Sequence, residues 1–538
     1  MRHRSLGLSR PASTSALLNR QHGVTGLPKG GNYKGDHLLT KAARYNTVYG
    51  IPSIQVCAWS IRRDIHPKSY PMKQPILNKK TKAAPSLLLG LALLAAPTFA
   101  STYYISPTGQ DTSPGDGTSG HPWQTLAKAL GAAGAGDTII AQNGTYHENF
   151  KINKSGTSTS PITVKAQNRL GAIIDAQMTR AHGALITGHH ITFDGFKVRN
   201  AYDAGIDIDG THDVTGQYCE SSGNKKAGIY AGGSDFIWIQ HNEVYNNAWG
   251  DEDGQGNKIV TSGISVHLPQ NVTGNTDDVT TSRINVLWNV VHDNYQASTA
   301  NPTDGAGIIL DDLRCAASNL PDYEFPSTVE DNLCYNNGGA GIKLFSTRFI
   351  TCRNNTCVRN NADHRDRTWR AEISIINCDD VDVVNNIACC DTDSFSVEYS
   401  QFGAATAESD RSPLGNFVQD DRVVKNYVNY TYTGNNTNIV FKNNLLYDYN
   451  NTALSEADAT NTTSGQAVAH TTNNNQINAT PGFIDATYPG YNYRLNGGSG
   501  CHAKNTGTTS EGYKNKDLDG NTRPQQTIID IGCYEYMP

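Results

Sequence analysis

A chain of 538 residues with 51 Gly and only 17% charged residues could hold several domains, but its turn-rich composition suits one elongated β structure. Its formal charge of −6 hides an asymmetry. Residues 1–100 hold 15 of the 44 basic and 2 of the 50 acidic side chains, so the remainder carries 29 basic against 48 acidic, a net −19. That acidity excludes a general binder of nucleic acid or of anionic membrane. It is compatible with Ca²⁺ sites or a neutral glycan, and an anionic substrate would require a local basic patch.

Residues 1–71 show no periodicity and read as a non-native extension or a leader. Residues 72–100 then have the form of a signal peptide: Lys73, Lys79, Lys80 and Lys82, an apolar run over 86–97, and small residues at Thr98 and Ala100. The run is too short to span a membrane. Because this signal starts at the internal Met72, an over-extended gene start is favoured over a cleaved basic leader or the tail of an uncleaved anchor. The expected location is outside the cell or in the periplasm. Of 11 Cys, ten lie beyond residue 100, and an even number in an exported chain permits disulfides. By proximity the pairs would be Cys352/Cys357, Cys389/Cys390 and Cys501/Cys533.

Residues 101–105 begin a strand, 106–121 a polar loop, and 123–133 (WQTLAKALGAA) have helical spacing before β structure starts at Gly136. A short amphipathic helix over the first coil would hide the open apolar end of a solenoid. The run TYYISPTGQD…HPWQTLAKAL…AGDTIIAQNGTYHENFKI…SPITVKAQ resembles the N-terminal cap of secreted β-helix polysaccharide-active proteins of the pectate-lyase-like superfamily, family 9 lyases among them. The resemblance implies a right-handed parallel β-helix, secretion and action on an extracellular polysaccharide.

From Gly205 one phrase returns: Gly205-Ile-Asp-Ile-Asp209, Gly228-Ile-Tyr-Ala-Gly232, Gly263-Ile-Ser-Val-His267, Gly307-Ile-Ile-Leu-Asp311, Gly341-Ile-Lys-Leu-Phe345 and Glu372-Ile-Ser-Ile-Ile376. Strands alternate faces with period two. Stacking the phrases therefore gives two inward columns, Ile206/229/264/308/342/373 and Ile208, Ala231, Val266, Leu310, Leu344, Ile375. Like-on-like strands joined by Asn/Gly turns predict an all-β right-handed parallel β-helix over 101–437, with the last coils and a C-terminal cap over 438–538. The recurring Asn-Asn pairs read as turn ladders. Insertions at 249–261, 296–303 and 313–326 lengthen consecutive coils and would build a groove wall.

The outward columns place the chemistry. One holds Asp207, Tyr230, Ser265, Ile309, Lys343 and Ser374; the other holds Asp209, Gly232, His267, Asp311, Phe345 and Ile376. With no coil intervening, His267 and Asp311 are neighbours about 4.8 Å apart on a solvent-facing sheet, with Lys343 one coil on. His267, Asp311, Asp312 and Lys343 are the catalytic candidates. Asp304, Tyr230, Trp249, Arg370 and Glu372 are candidates for substrate contact, and Asp207 and Asp209 for a Ca²⁺ ion. Taken singly, the aspartates also read as turn caps and the His and Lys as solvated surface groups.

Three functions compete. A lyase acting on a uronate needs a base (Lys343 or His267) and cations, commonly Ca²⁺, to neutralise the substrate carboxylate, with Asp311 and Asp312 as acid partner or cation ligands. A glycoside hydrolase needs two carboxylates, Asp311 with Asp304 or Asp312. A non-catalytic glycan-binding β-helix needs exposed aromatics without a polar centre. Eliminative cleavage by a monomer is the expectation. The chain departs from the family 9 pattern in its Ca²⁺-aspartate cluster and lysine segment, and only Asp311-Asp312 and Gly341-Ile-Lys343 echo the polygalacturonase set.

Overall fold

The structure is a computed structural model that describes residues 100–250, 261–276, 279–296, 304–315, 320–363, 371–390, 428–429, 437–449, 460–461, 470–487 and 490–538. The proposed leader, the signal peptide apart from Ala100, and most of the three insertions lie outside them.

Among the described residues, three parallel sheets of twelve, ten and eleven strands are built from strands between residues 102 and 477, and consecutive members of each sheet come from consecutive coils. Every coil thus contributes one short strand to each wall, which is a parallel β-helix. The Gly-Ile phrases form the ten-stranded wall in the register read from sequence: Ile206 opposite Ile229, then Ile264, Ile308, Ile342 and Ile373, with no coil between. Both inward columns are buried, at no more than 2% exposure. Each large aliphatic side chain removed from water in this way contributes roughly 1.5–3 kcal/mol, so the register that buries them all outcompetes a one-residue slip.

The corners are tied by amides. One chain of stacked side chains runs Asn242, Asn289, Asn332, Asn355, Asn386, Asn444 and Asn475, each backbone N–H and Nδ2 donating to the next Oδ1. A second runs Asn224, Asn247, Asn294, Asn337 and Asn360. The expected ladders are present, and they satisfy corner backbone that the strands leave unpaired.

One helix, α1 (Leu126–Ala132), packs on the strands Thr102–Ile105 and Phe150–Ile152 with Leu126, Ala129 and Leu130 buried. Thr125 caps it by accepting from the Lys128 N–H. At the other end the chain does more than close the solenoid. Residues 490–538 carry Tyr493, Leu495, Ala503, Ile531 and Cys533 onto the outer face of the eleven-stranded wall, where they bury Leu333, Val358, Ile387 and Leu445. Arg523 anchors this segment on Asp331 (2.6 Å) and Glu535 (2.8 Å), all three buried. Asp517 closes a turn by accepting from Asn521 and the Glu535 N–H, and Asp519 pairs with Arg494.

The disulfide expectation is corrected, since all ten described cysteines are free and buried. Cys389 and Cys390 are adjacent on one strand and so face opposite sides, one toward the outer cluster and the other toward the solenoid core. Cys352 and Cys357 sit on different walls, and Cys357 stacks on Cys334 of the previous coil. The cysteines serve as small apolar core residues.

Candidate active site

The site is built on three consecutive phrases of the ten-stranded wall. The ladder sets His267 directly opposite Asp311, and Asp311 opposite Phe345; Lys343 falls opposite Ile309, two residues earlier on its strand. Tyr230 lies one coil before, opposite Ser265. Its phenol reaches along the wall to His267 Nδ1 at 3.2 Å. Gly232 makes this possible, because a Cβ there would stand 2.5 Å from the Tyr230 ring.

Asp304 enters from the loop preceding its strand. Its N–H donates to Gln296 Oε1 at 2.7 Å, and Gly305, at φ +80, donates to the Thr261 carbonyl. These bonds aim the carboxylate at Lys343 Nζ, 2.8 Å away. The pair is almost wholly buried, with side-chain exposures of 3% and 8%. The expectation of an open, solvent-facing sheet is therefore corrected here: Ser265, Ile309, Lys343 and Ser374 are all buried, while Tyr230, His267, Asp311 and Phe345 are half-buried.

Burial, joined by the Asp304 and Asp312 charges and opposed by Lys343, pushes the Asp311 carboxyl up to about 7. Burial also lowers the pKa of His267, outweighing the opposite pull of Asp312 and Asp304. Near neutral pH the site therefore presents an imidazole biased to its neutral form beside a carboxyl poised between its two forms, over an ion pair. Asp312 follows Asp311 in the left-handed corner (φ +57), its N–H donating to the Phe345 carbonyl.

The remaining candidates divide. Glu372 does not contact substrate: it is fully buried, and its two carboxylate oxygens accept from the Asn360 N–H and Nδ2, ending the second amide ladder. Trp249 is exposed at the edge of an insertion, and Arg370 lies outside the described residues. Asp207 and Asp209 lie two coils from His267. Asp207 is pushed up to about 8, first by burial and then by Asp209 and Asp203, and its Oδ1 is buried without a hydrogen-bond partner. Its Oδ2 stands 3.1 Å from His182 Nδ1, a neighbour that strand pairing did not reveal, and Asp203 pairs with Lys226.

Ca²⁺ takes six to eight oxygen ligands. Neither cluster offers such a shell on its described residues, since a lysine is paired within each and an imidazole flanks Asp207. The donor sets do not fit Ca²⁺.

Among known proteins, the model of the Pel9A-like right-handed β-helix region matches residues 103–370, which include every member of the His267 cluster. Pectate lyase L of Dickeya chrysanthemi is 28% identical over 160 residues, 27% of this chain and 37% of that protein. Pectate lyase PEL9 of Emericella nidulans is 36% identical over 88 residues, 16% of this chain and 21% of that protein. The chain thus spans well under half the length of these curated relatives. The crystal structure of pectate lyase Pel9A superposes with a TM-score of 0.42 at 16% identity, covering 81% of this chain and 96% of that one. With the stacked walls, the family match and these relatives taken together, the chain belongs to the pectate-lyase-like superfamily of right-handed parallel β-helix proteins.

Proposed function

We propose that this protein is a secreted lyase that cleaves a uronate-containing polysaccharide by β-elimination, with His267 as the base. The observation that carries the reading is the His267 imidazole, braced by the Tyr230 phenol at 3.2 Å and level with Asp311, with burial lowering the pKa of the first and pushing the second up to about 7. The match of residues 103–370 to a Pel9A-like family and the two relatives named pectate lyases support the same chemistry.

In the proposed reaction His267 takes the proton from the carbon bearing the uronate carboxylate. The electron pair left behind forms the new carbon–carbon double bond, and the glycosidic oxygen on the next carbon leaves and collects a proton from Asp311. Lys343 Nζ is engaged by Asp304 Oδ1 at 2.8 Å, which favours His267 over it as the base. Its part is to lend positive charge to the substrate carboxylate, and Asp304 holds it in place. No step passes through a metal. Phe345 and Tyr230 supply apolar ring surface at the rim, where a sugar face can stack.

A second reading has its own observation. Asp311, pushed up to about 7 by burial, lies beside the Asp304 and Asp312 carboxyls, and a raised carboxyl with a second one near it is what a glycoside hydrolase uses.

The test is digestion of a panel of acidic polysaccharides, followed by ultraviolet absorbance of unsaturated ends and by reducing-end release, with and without chelator. Elimination predicts a chelator-insensitive absorbance rise that His267→Gln abolishes. New reducing ends without absorbance, lost in Asp311→Asn, would overturn it in favour of hydrolysis. Glycan binding with neither signal would leave a binding module.

A further inference from the structure

Two to three coils before His267, at the corner that follows the same wall, three imidazoles and a carboxylate meet. Strand pairing sets Ile191 opposite Val214, so His190 is level with Asp213 and His189 with His212. Asp213 Oδ2 lies 2.7 Å from His212 Nδ1 and 3.6 Å from His190 Nδ1. One ligand atom from each of His190, His212 and Asp213 falls within 4.8 Å of the others. The imidazole of His212 stacks on that of His189 at 4.5 Å and 14°, and His189 Nδ1 is bonded to Ser155 Oγ at 3.0 Å. The three side chains are 17%, 22% and 34% exposed, so an ion can reach them and a water can complete its shell.

We infer that His190, His212 and Asp213 form a site for a divalent transition metal, with Zn²⁺ as the natural occupant. Two imidazoles and a carboxylate are the donor set that suits zinc, and with metal–ligand bonds of about 2.0–2.2 Å a tetrahedral ion spaces its ligands roughly 3.3–3.6 Å apart. The His190–Asp213 separation already has that value, and the shorter His212–Asp213 contact opens to it by a small side-chain rotation. The ion would replace that hydrogen bond, clip two successive coils together and keep a fourth position for solvent. The corner is held by the paired strands that flank it, with Val214 opposite Ile191 and His212 opposite Asp235, and by the His190 N–H donating to the His212 carbonyl, so little ordering is needed on binding. Hard oxygen-seeking ions such as Ca²⁺ are disfavoured by the two nitrogen donors. This site is independent of the proposed lyase chemistry, standing two to three coils away, roughly 10–14 Å along the axis.

The test uses the full chain, stripped with chelator and dialysed, then titrated with Zn²⁺ by calorimetry and with Co²⁺ by visible absorption. The expected result is one equivalent bound, with the absorption of a low-coordinate cobalt–imidazole centre. Binding should weaken at least tenfold in both His212→Ala and Asp213→Asn. His267→Gln should bind as the parent does, which separates this site from the catalytic cluster. Absence of stoichiometric binding, or full retention of it in the His190→Ala/His212→Ala double variant, would overturn the assignment. Far-UV circular dichroism verifies that each variant is folded, and His190→Gln, which keeps size and polarity, provides the reading if an alanine variant is not.

Discussion

The roles proposed for His267 and Asp311 rest on what surrounds the two side chains. An exposed histidine titrates near 6.5 and an exposed aspartate near 4, too far apart and in the wrong order for a base and an acid to coexist at neutral pH. Burial lowers the first and raises the second to about 7. The lyase reading therefore predicts a bell-shaped kcat/KM profile, with an acid limb below pH 6.5 and a basic limb near pH 7. His267→Gln should lower kcat by about 10²–10⁴-fold while melting like the parent. The same displacement of Asp311 makes a stability prediction. Its pKa is raised on folding, so the unfolded chain gains by ionising first as pH climbs from about 4 to 7. Asp311→Asn should therefore be more stable than the parent at pH 8, on the order of 1–3 kcal/mol, with the advantage gone by pH 4. Urea titrations at the two pH values check it, and an unchanged difference would contradict it. Lys343→Met leaves Asp304 buried without its partner, and should destabilise by about 3–5 kcal/mol as well as abolish turnover.

Elements matter here through their stacking. The Gly-Ile strands hold only four residues each, and their precision comes from identical neighbours above and below. Gly232 shows how one position in such a column is spent on a neighbour, since its missing Cβ is the space through which the Tyr230 ring reaches His267. Gly232→Ala should leave the melting temperature close to the parent's, because the obstructing atoms belong to a movable side chain, yet depress turnover by loosening His267. A variant with parental turnover would show that the Tyr230 contact is dispensable. The amide ladders behave differently. Each Asn side chain serves the corner of the next coil, so Asn337→Ala strands buried partners on both sides. A loss of roughly 1–3 kcal/mol is expected in denaturant titration. Glu372 belongs to this device and is not a groove residue, which explains an acidic side chain at a fully buried position.

At the scale of the whole molecule, the C-terminal segment ties distant coils together. It reaches back along the eleven-stranded wall so that the Lys514 N–H donates to Glu330 and Trp288 donates to the Lys516 carbonyl. Solenoid coils otherwise meet only their neighbours, so this flank couples coils that would melt in sequence. No helix among the described residues is long and apolar enough to cross a membrane. With all ten described cysteines free, stability should not depend on oxidation: a reductant should leave the melting curve unmoved, and a thiol assay in denaturant should find these cysteines reactive.

The sequence by itself determined the repeat, and with it the wall, the register and the meeting of His267 with Asp311. Those follow from a local period of two and a phrase whose inward residues must be buried together. It also contains the histidine corner: one plain coil of 23 residues added to His189 and His190 lands on His212 and Asp213, so the same period that stacks the strands stacks these corner residues. Other features were decided only by tertiary structure. The Lys343–Asp304 pair depends on where an irregular loop folds back, the proton balance of Asp311 depends on how deeply its surroundings exclude water, and the free cysteines depend on which side of each wall they face. A strand pattern reports which face a residue is on. What covers that face, and what the covering does to a charge, is settled by segments remote in the chain.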